Sequence, residues 1–439
     1  MFIDCSKYAG KCACGRVHTM ETRAAVIEPG CLFEFEKYMA QFGVTGKRCA
    51  LYGENSYAAT ADRHPRAEQK IVLDPTGLHA NEISTAEVLA KLEGDVEVIV
   101  AVGSGTIHDI ARFCAHERGI RFVSCPTGAS VDGFCSTVAA MTWYGFKKTL
   151  PAGAPEIVLA DTEIIKNAPM ELVRSGVGDI MAKYTALADW KMAHVLTNEL
   201  LCEKIYSIMQ DAADTVMQSV PGIARGEESA YADVTYALIM SGIAMQMMGN
   251  SRPASGADHL VSHIWEMENL CCNGKPVSHG FKVAIGTVTS TALYEALFSL
   301  SEQEARRLAR PGLDRAGREA EIDALLSIGT YGAATRTIAL DKFREGRALA
   351  ERRELIYRNW ETLRKRILHQ LYPLEELTRR LTTAGCPVKP ADIQLGREQF
   401  LHGIRTAQLI RKRYTVLDLV YELGLLEELL RRILPVMNV

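Results

Sequence analysis

Short apolar runs alternate with helical patterns between about residue 24 and residue 165. Each run is long enough for one buried strand and precedes apolar residues at helical spacing, as in AAVIEPG, RCALYGENSY, EVIVAVGSGTIHDIARFCAHERG and RFVSCPTG. Strands that alternate with helices predict a parallel, doubly wound sheet. Within that sheet, VEVIVAVG predicts a buried central strand, GSGT a tight turn and IHDIARFCAHERG the helix that follows.

From about residue 168 onward, long amphipathic patterns follow one another with almost no strand-like alternation. The segment TAGCPVKPADIQ, residues 383–394, predicts a loop between two helices, and the charged segments near the C-terminus are typical of solvated helix faces. A chain of 439 residues is too long for one compact domain. We therefore expect an α/β domain with a doubly wound parallel sheet over residues 1–165 and an all-α domain over residues 166–439.

The charge balance favours a small-molecule partner over a nucleic acid. The formal net charge is -3 and the pI is about 6.4, so the chain lacks the basic surface that nucleic-acid binding requires. No apolar run approaches the roughly 18 residues of a membrane span, and the N-terminus lacks the apolar core of a signal peptide. We expect a cytoplasmic protein with no membrane partner.

Most of the twelve cysteines stand singly inside apolar segments, where a thiol behaves as a small hydrophobe. A disulfide framework is therefore not expected. Cys5, Cys12, Cys14 and His18 lie close in sequence and offer soft ligands for a structural zinc. Their C-x-C spacing differs from the usual C-x2-C, so the sequence favours reduced thiols in an N-terminal arm.

A glycine-rich turn, Gly103-Ser104-Gly105-Thr106, stands between the central strand and its helix. Bare backbone there would let a pyrophosphate approach the first amides of the helix. The full G-x-G-x-x-G pattern is absent because residue 108 is His, so dinucleotide binding and a purely steric role both stay open. Glu54, in a predicted turn after RCALYG, would meet a ribose hydroxyl and favour NAD over NADP, although a solvated turn residue fits equally well.

Candidate metal ligands stand in three segments of the helical part. Asp179 lies in SGVGDIMAKYTALADW, His259 and His263 in SGADHLVSHIWEM, and His279 in PVSHGFKVAIG. The spacing of His259 and His263 places both on one helix face. One carboxylate and two imidazoles would hold a divalent transition metal with open positions for substrate oxygens. Histidines on amphipathic helices are more often core or surface residues, so spacing alone leaves the question open.

Five motifs, in this order and spacing, resemble the glycerol-1-phosphate dehydrogenase family: GSGTIHDIARF, SCPTGASVDGFCS, SGVGDIMAKYTALADW, NSRPASGADHLVSHIWE and SHGFKVAIGT. The resemblance runs from about residue 10 to about residue 430, and the tail segments AGCPVKPADIQLGREQF and RKRYTVLDLVYELGLL resemble the bacterial branch. The family is similar in fold to glycerol dehydrogenases, iron-type alcohol dehydrogenases and dehydroquinate synthases. The resemblance implies a metal-dependent, NAD(P)H-linked, reversible reduction of dihydroxyacetone phosphate to sn-glycerol 1-phosphate.

The resemblance also implies roles for single residues. A divalent zinc, nickel or iron would bind Asp179, His259 and His279, with His263 beside them and Asp132 on a substrate hydroxyl. The positions implied for NAD(H) or NADP(H) are Glu54, Gly103, Ser104, Gly105, Thr106, Asp109, Thr127, Ser130 and Ser136. Two residues depart from the family pattern, His108 in place of a common Asn and Asp258 in place of a usual Glu, which affects the surroundings of the pyrophosphate and the metal.

Hydride reduction of a ketone leaves negative charge on its oxygen, which a Lewis-acidic cation stabilises. We expect the proton to come from water on the metal through His263 or Asp132, because histidine changes charge near neutral pH without a large pKa perturbation. A phosphorylated substrate needs a cationic partner, and Arg252 and Lys183 are the candidates by position.

Three other functions remain open at this point. A glycerol or polyol dehydrogenase would use the same metal and cofactor on an unphosphorylated substrate. A dehydroquinate-synthase-like lyase would need more Lys and Arg around a bulky acid than the sequence offers, and the intact ligand set disfavours a non-catalytic binding protein. Apolar faces on the C-terminal helices favour a homodimer or a higher homo-oligomer.

Overall fold

The structure, a computed structural model, describes residues 1–144 and 146–439 of the chain. It divides into two compact units. The first unit contains Met1–Ile180 and Ser207–Asn250, and the second contains Met181–Tyr206 and Ser251–Val439. Each unit is therefore assembled from two separate stretches of chain, an arrangement that periodicity along the sequence does not indicate.

The strands of the described residues are β1 (Phe2–Asp4), β2 (Gly10–Lys11), β3 (Val17–His18), β4 (Ala24–Glu28), β5 (Arg48–Gly53), β6 (Gln69–Leu73), β7 (Val98–Gly103), β8 (Arg121–Pro126), β9 (Val138–Trp143), β10 (Phe146–Pro151), β11 (Ile157–Asp161), β12 (Cys271–Cys272) and β13 (Lys275–Pro276). The helices in the first half of the chain are α1 (Phe35–Gln41), α2 (Glu54–Ala59), α3 (Glu82–Lys91), α4 (Gly105–Arg118), α5 (Thr162–Asn167), α6 (Met170–Met181), α7 (Lys183–Thr197) and α8 (Glu203–Arg225). The remaining helices are α9 (Glu228–Met248), α10 (Ala257–Met267), α11 (His279–Phe298), α12 (Glu302–Leu308), α13 (Arg315–Leu326), α14 (Ala334–Asp341), α15 (Gly346–Arg358), α16 (Trp360–Gln370), α17 (Leu374–Ala384), α18 (Arg397–Ala407), α19 (Val416–Glu422) and α20 (Leu426–Met437).

Within the described residues, seven strands form the main sheet of the first unit, in the order β1-β4-β11-β8-β7-β5-β6. Neighbours from β4 to β6 run parallel, and β1 is antiparallel at one edge. The order reverses between β5 and β7, since the chain proceeds outward from β5 to β6 and in the other direction from β7 to β8. Ligands of such sheets bind outside the carboxyl ends of the strands at this reversal. The predicted fold class, a doubly wound parallel-sheet α/β part followed by a mostly helical part, is confirmed.

The central strand and its helix form where the sequence predicted them. Every side chain of β7 is buried, because helices cover both faces of a parallel sheet. Helix α4 follows Ser104 and ends at Arg118, where Gly119 has φ of 64° and the N–H of Ile120 donates to the carbonyl of Ala115. This left-handed glycine satisfies the last carbonyls of the helix and stops it.

A helix replaces the turn predicted at Glu54. Glu54 is the first residue of α2, which follows β5 without a loop. The hydroxyl of Ser56 accepts the N–H of Gly53 at 3.1 Å and donates to the carbonyl of Val102 at 2.7 Å. The serine thereby satisfies backbone groups at the junction, so the chain enters the helix directly.

The backbones of two helices, α6 and α9, come into close contact with the loop after β8. A Cβ atom on Gly176 of α6 would lie 2.2 Å from the carbonyl oxygen of Ala129. A Cβ atom on Gly242 of α9 would lie 2.6 Å from the Cβ of Cys135. Glycine at both positions lets α6 and α9 seat the loop without a side chain between them.

The second unit is built from packed helices, in agreement with the helical patterns of the sequence. Helix α10 packs against α11 and α18, and α11 also packs against α17 and α20. The ring of Trp265 stacks on Phe400 at a centroid distance of 6.1 Å in this core. In the described residues no single helix is long and apolar enough for a membrane span, and only α11 with α12, bent by 103°, passes as a pair by length and composition.

The close approach at Gly176 predicts the effect of one methyl group. Gly176→Ala forces the Ala129 carbonyl to move, so we expect a loss of about 1–3 kcal/mol in the free energy of unfolding. Gly94→Ala is the matched control, since a Cβ there meets nothing within 4 Å. Equal midpoints of chemical unfolding for the two variants would contradict this packing.

Candidate functional site

The glycine-rich turn of the first unit forms a cradle at the carboxyl end of β7. A Cβ on Gly103 would lie 2.7 Å from Ile107, and one on Gly105 would lie 3.0 Å from Val131. Ser104 is the extended residue before α4, and its side chain makes no cap hydrogen bond to the helix. Glycine at both positions therefore lets the turn pack closely against Ile107 and Val131. The first amides of α4, at the start of the helix, suit the charge of a pyrophosphate.

The neighbouring strand ends carry most of the other predicted cofactor residues. Thr127 follows β8, and its N–H donates to the carbonyl of Gly103 at 3.0 Å. Glu54 is exposed at the end of β5, while Ser130 and Ser136 are buried in the loop after β8. The topology thus brings Glu54, the turn and Thr127 to the carboxyl ends of three adjacent strands. Asp109 lies on α4 with 20% of its side chain exposed.

His108, the departure from the family pattern, is buried and holds the turn. Its Nδ1 lies 2.9 Å from the carbonyl oxygen of Ser104, which accepts only, so Nδ1 carries the hydrogen. Its Nε2 lies 2.8 Å from the hydroxyl of Ser124 on β8 and accepts from it. Burial lowers the pKa of His108 from 6.5 to about 3, so the ring is neutral. A neutral imidazole here links turn and strand as an amide side chain would.

Arg112 is a residue of this site that sequence reasoning missed. Its guanidinium is fully buried and donates to the carbonyls of Gly133 at 2.5 Å and Ser136 at 2.6 Å. It thereby fixes the backbone that carries the predicted cofactor and substrate residues of the loop. The only signal in the sequence was an Arg on the apolar side of a helix, one turn after His108, and that pattern is too common to be informative.

Asp132 and Asp179 meet within the first unit. The N–H of Asp132 donates to Oδ2 of Asp179 at 3.0 Å, and the side chain of Asp179 is fully buried. Oδ2 of Asp132 accepts the hydroxyl of Ser241, on α9, at 2.8 Å. The proposed substrate residue and one proposed metal ligand are therefore held in fixed positions by hydrogen bonds from the loop and α9.

Three imidazoles converge within the second unit. His259 and His263 lie on α10, and His279 is the first residue of α11. The ring centroid of His279 lies 5.4 Å from that of His259 and 5.9 Å from that of His263. The predicted convergence of the two segments is observed, because α10 and α11 pack together with His279 at the start of its helix.

Each of the two proposed histidine ligands is backed by a carboxylate. Nδ1 of His259 lies 2.5 Å from Oδ1 of Asp258, and Nδ1 of His279 lies 2.8 Å from Oε1 of Glu266. Since carboxylates accept, both Nδ1 atoms carry hydrogen, and both Nε2 atoms are left as ligands. Asp258 makes this bond although a Glu is usual at its position in the family. Sequence reasoning missed Glu266, which lies three residues after His263 on the same helix face.

Both carboxylates stay ionised in spite of burial. Burial alone raises the pKa of Asp258, but hydrogen bonds from His259 and Thr185 outweigh it and lower the pKa below its ordinary value. Burial acts in the same direction on Glu266, and electrostatic interactions with His279 and Lys282 together with hydrogen bonds from His263 and His279 hold its pKa well below the ordinary value. Two buried anions behind the imidazoles favour a cation in front of them.

His263 does not behave as the sequence led us to expect. Its Nδ1 lies 3.2 Å from Oε2 of Glu266, and 31% of its side chain is exposed. Desolvation lowers its pKa to about 4, and the neighbouring His279 and His259 add to the effect while Glu266 opposes it. The expectation of an unperturbed pKa near neutrality is wrong, chiefly because burial disfavours the charged form of His263.

The two predicted cations of the second unit are both buried. Arg252 is 3% exposed, and it donates to Oε1 of Glu199 at 2.7 Å and to the carbonyl of Asp189 at 2.9 Å. Through these bonds Arg252 stabilises its own loop. A role of Arg252 in binding phosphate stays a prediction. Lys183 begins α7, and its charge contributes to lowering the pKa of Asp258.

The second unit also contains a cavity of about 700 Å³. Its lining mixes cationic and acidic side chains, among them Arg318, Lys342, Asp418 and Glu422. It includes none of the site residues predicted in the described part of the chain. The cavity is therefore separate from the predicted site residues.

Comparison with known proteins gives one family and one fold. Residues 26–169 match the family described as iron-containing alcohol dehydrogenase. Proteins named glycerol-1-phosphate dehydrogenase [NAD(P)+] are 34% identical over 316 residues in Bacillus licheniformis, covering 69% of this chain and 79% of the relative, and 32% identical over 302 residues in Thermococcus kodakarensis, covering 67% and 85%. The one from Geobacillus thermodenitrificans is 42% identical over 229 residues, or 52% of this chain, and the chain spans 57% of its length.

The fold is shared with a solved structure described as a probable glycerol dehydrogenase from Sinorhizobium meliloti. The TM-score is 0.61 over 93% of this chain and 97% of that chain, at 16% sequence identity. At that identity the likeness concerns the fold alone. It confirms the arrangement of a parallel-sheet α/β part followed by a mostly helical part.

The neutral state of His108 predicts a pH dependence of stability. The unfolded chain takes up a proton at this residue below pH 6.5, whereas the folded chain resists it until about pH 3. Wild type should therefore lose unfolding free energy relative to His108→Asn as the pH falls from 6.5 toward 3. Paired urea titrations above and below pH 6.5 measure this difference, and a difference that does not change with pH would show that the folded ring takes up its proton at the same pH as in the unfolded chain.

Proposed function

The chain belongs to the glycerol-1-phosphate dehydrogenase family, and from that premise we propose that it reduces dihydroxyacetone phosphate to sn-glycerol 1-phosphate with NADH or NADPH and a divalent metal. The metal is zinc, nickel or iron, held by Asp179, His259 and His279. The reaction is reversible, and the substrate is a small phosphorylated ketone.

The observation that carries this proposal is the pair of carboxylate-backed imidazoles in the second unit. His259 and His279 each donate Nδ1–H to a buried anion, which fixes ring orientation and raises the basicity of the ligand nitrogen. Nitrogen ligands of this kind together with one carboxylate fit a catalytic transition metal with open positions. Asp179 supplies the carboxylate in this proposal, and it lies two residues before the first unit gives way to the second along the chain.

The cradle between β7 and α4 fits the second group that the reaction needs. Gly103 and Gly105 let the turn pack against Ile107 and Val131, and the amides at the start of α4 offer donors to the charge of the pyrophosphate. Thr106, Asp109, Thr127, Ser130 and Ser136 complete the proposed cofactor residues. Glu54, exposed at the end of β5, disfavours a 2′-phosphate by charge repulsion, which supports NAD as the preferred cofactor.

The bound metal would polarise the ketone oxygen, and the nicotinamide would supply hydride. The chain's own residues position the substrate and move the proton. Asp132 is held by Ser241 and binds a substrate hydroxyl, while Lys183 and Arg252 are the proposed cations for the phosphate. His263 is neutral, so it relays a proton rather than storing one, and Glu266 stabilises the transient imidazolium.

A cytoplasmic location and a homodimer, both expected from the sequence, remain parts of this proposal. The homodimer rests on the apolar faces of the C-terminal helices.

Reconstitution of activity tests the reaction and its metal together. Chelator-stripped protein is mixed with NADH or NADPH and dihydroxyacetone phosphate, with and without zinc, nickel or iron(II), and cofactor oxidation is followed. We expect turnover only with metal and the phosphorylated ketone. Turnover on dihydroxyacetone alone would replace the proposal by a polyol dehydrogenase, and no turnover with any metal would exclude both.

The carboxylate behind His279 predicts a graded effect on metal affinity. Glu266→Gln removes the anion from two imidazoles, so the metal concentration for half-maximal activity should rise about 10- to 100-fold. His279→Ala, which removes a proposed ligand, should abolish turnover at every metal concentration. Glu361→Gln is the matched control, because that side chain is 76% exposed and is none of the proposed metal, cofactor or substrate residues. An unchanged metal titration for Glu266→Gln would show that Glu266 does not act on the metal ligands.

A further inference from the structure

Two cysteines and a histidine in an N-terminal hairpin take no part in the proposed reaction. Strands β2 and β3 pair antiparallel, with Gly10 opposite His18. In the turn between them, the N–H of Gly15 donates to the carbonyl of Cys12 at 3.0 Å, and Gly15 has φ of 85°. The tight turn places the thiols of Cys12 and Cys14 on the same side as the ring of His18.

The distances within this group match those between ligands of one metal ion. The Sγ atoms of Cys12 and Cys14 and a ring nitrogen of His18 all lie within 4.8 Å of one another. Sγ of Cys14 lies 3.6 Å from Nε2 of His18. Two ligands of a tetrahedral zinc, with Zn–S of about 2.3 Å and Zn–N of about 2.05 Å, are also separated by about 3.6 Å.

The ring of His18 is oriented for coordination. Its Nδ1 donates to the carbonyl oxygen of Met247 at 2.7 Å, and the side chain is 2% exposed. Met247 contributes one of the last carbonyls of α9, which have no partner inside the helix. Because the hydrogen is on Nδ1, the Nε2 atom that faces Cys14 is unprotonated, which is the state a metal ligand requires.

The hairpin itself offers little that would hold it in place. Each strand has two residues, and both Gly10 and Lys11 are exposed, as is 66% of Val17. Two-stranded hairpins are marginally stable on their own. A metal ion bound both to the turn and to strand β3 would stabilise the hairpin, since structural zinc contributes directly to the free energy of folding.

We propose that Cys12, Cys14 and His18 bind a structural zinc ion, separate from the catalytic metal and independent of the proposed reaction. The C-x-C spacing alone disfavours zinc, but the hairpin adds the imidazole of His18 to the two thiolates. Structural zinc has four ligands, so a fourth donor from outside the hairpin completes the site. Through Met247, the site also fastens the hairpin to the C-terminal end of α9.

Metal content of full-length protein tests this site. All proteins carry His279→Ala, so that the catalytic metal does not contribute, and are purified from zinc-supplemented medium for elemental analysis. We expect one zinc per chain in this background and none after Cys12→Ser together with Cys14→Ser. Cys271→Ser, which replaces an exposed cysteine, is the control and should retain the zinc. Equal zinc in the double-serine variant and the control would overturn the proposal.

A second measurement avoids any dependence on folding of the serine variants. The His279→Ala protein is stripped of zinc and titrated with cobalt(II), which reports thiolate ligands by a charge-transfer absorption band. We expect the band to appear at one equivalent of cobalt, together with a higher midpoint of thermal unfolding. No band, with all twelve thiols reacting with a thiol reagent after the protein is unfolded, would show that the cysteines bind no metal. Loss of two thiols from that count would assign a disulfide instead.

Discussion

A polar group that is removed from water must find a hydrogen-bond partner, and this requirement organises every functional part of the molecule. Buried Arg112 satisfies its guanidinium on the carbonyls of the loop after β8, and in doing so it fixes that loop. Asp179 accepts the N–H of Asp132, and His18 donates to the end of α9. In each case the group that must be satisfied is also the group that positions a neighbour.

The same requirement sets the charges around the imidazoles of the second unit. Asp258 and Glu266 are costly to bury as anions, yet the hydrogen bond from His259 lowers the pKa of Asp258, and electrostatic interactions with His279 and Lys282 lower that of Glu266, which keeps both ionised. The anions in turn fix which ring nitrogen carries hydrogen, so that both Nε2 atoms face the proposed metal. The low pKa of His263 follows mainly from burial, and the two neighbouring imidazoles add to the effect.

Close approach of backbone to backbone is the second constraint on the site. The loop after β8 lies between α4, α6 and α9, and glycines at positions 176 and 242 permit the contact. Gly103 and Gly105 likewise permit the turn before α4 to pack against Ile107 and Val131. These glycines are visible in the sequence, but the group that each of them faces depends on the packing. A glycine in a motif is therefore an incomplete signal until its neighbours are known.

The sequence by itself determined the alternation of strands and helices, the turn after β7 and the identity of the histidines on α10 and α11, because these depend on periodicity and on residues near one another in the chain. It also carried the family resemblance, and with it the proposed ligands. Only the tertiary structure decided that Glu266 backs His279, that Arg112 holds a distant loop and that His18 donates to the end of α9. It also decided that Ser207–Asn250 joins the sheet unit. Those partners are selected by packing between segments remote in sequence, where local pattern contains no information on which groups meet.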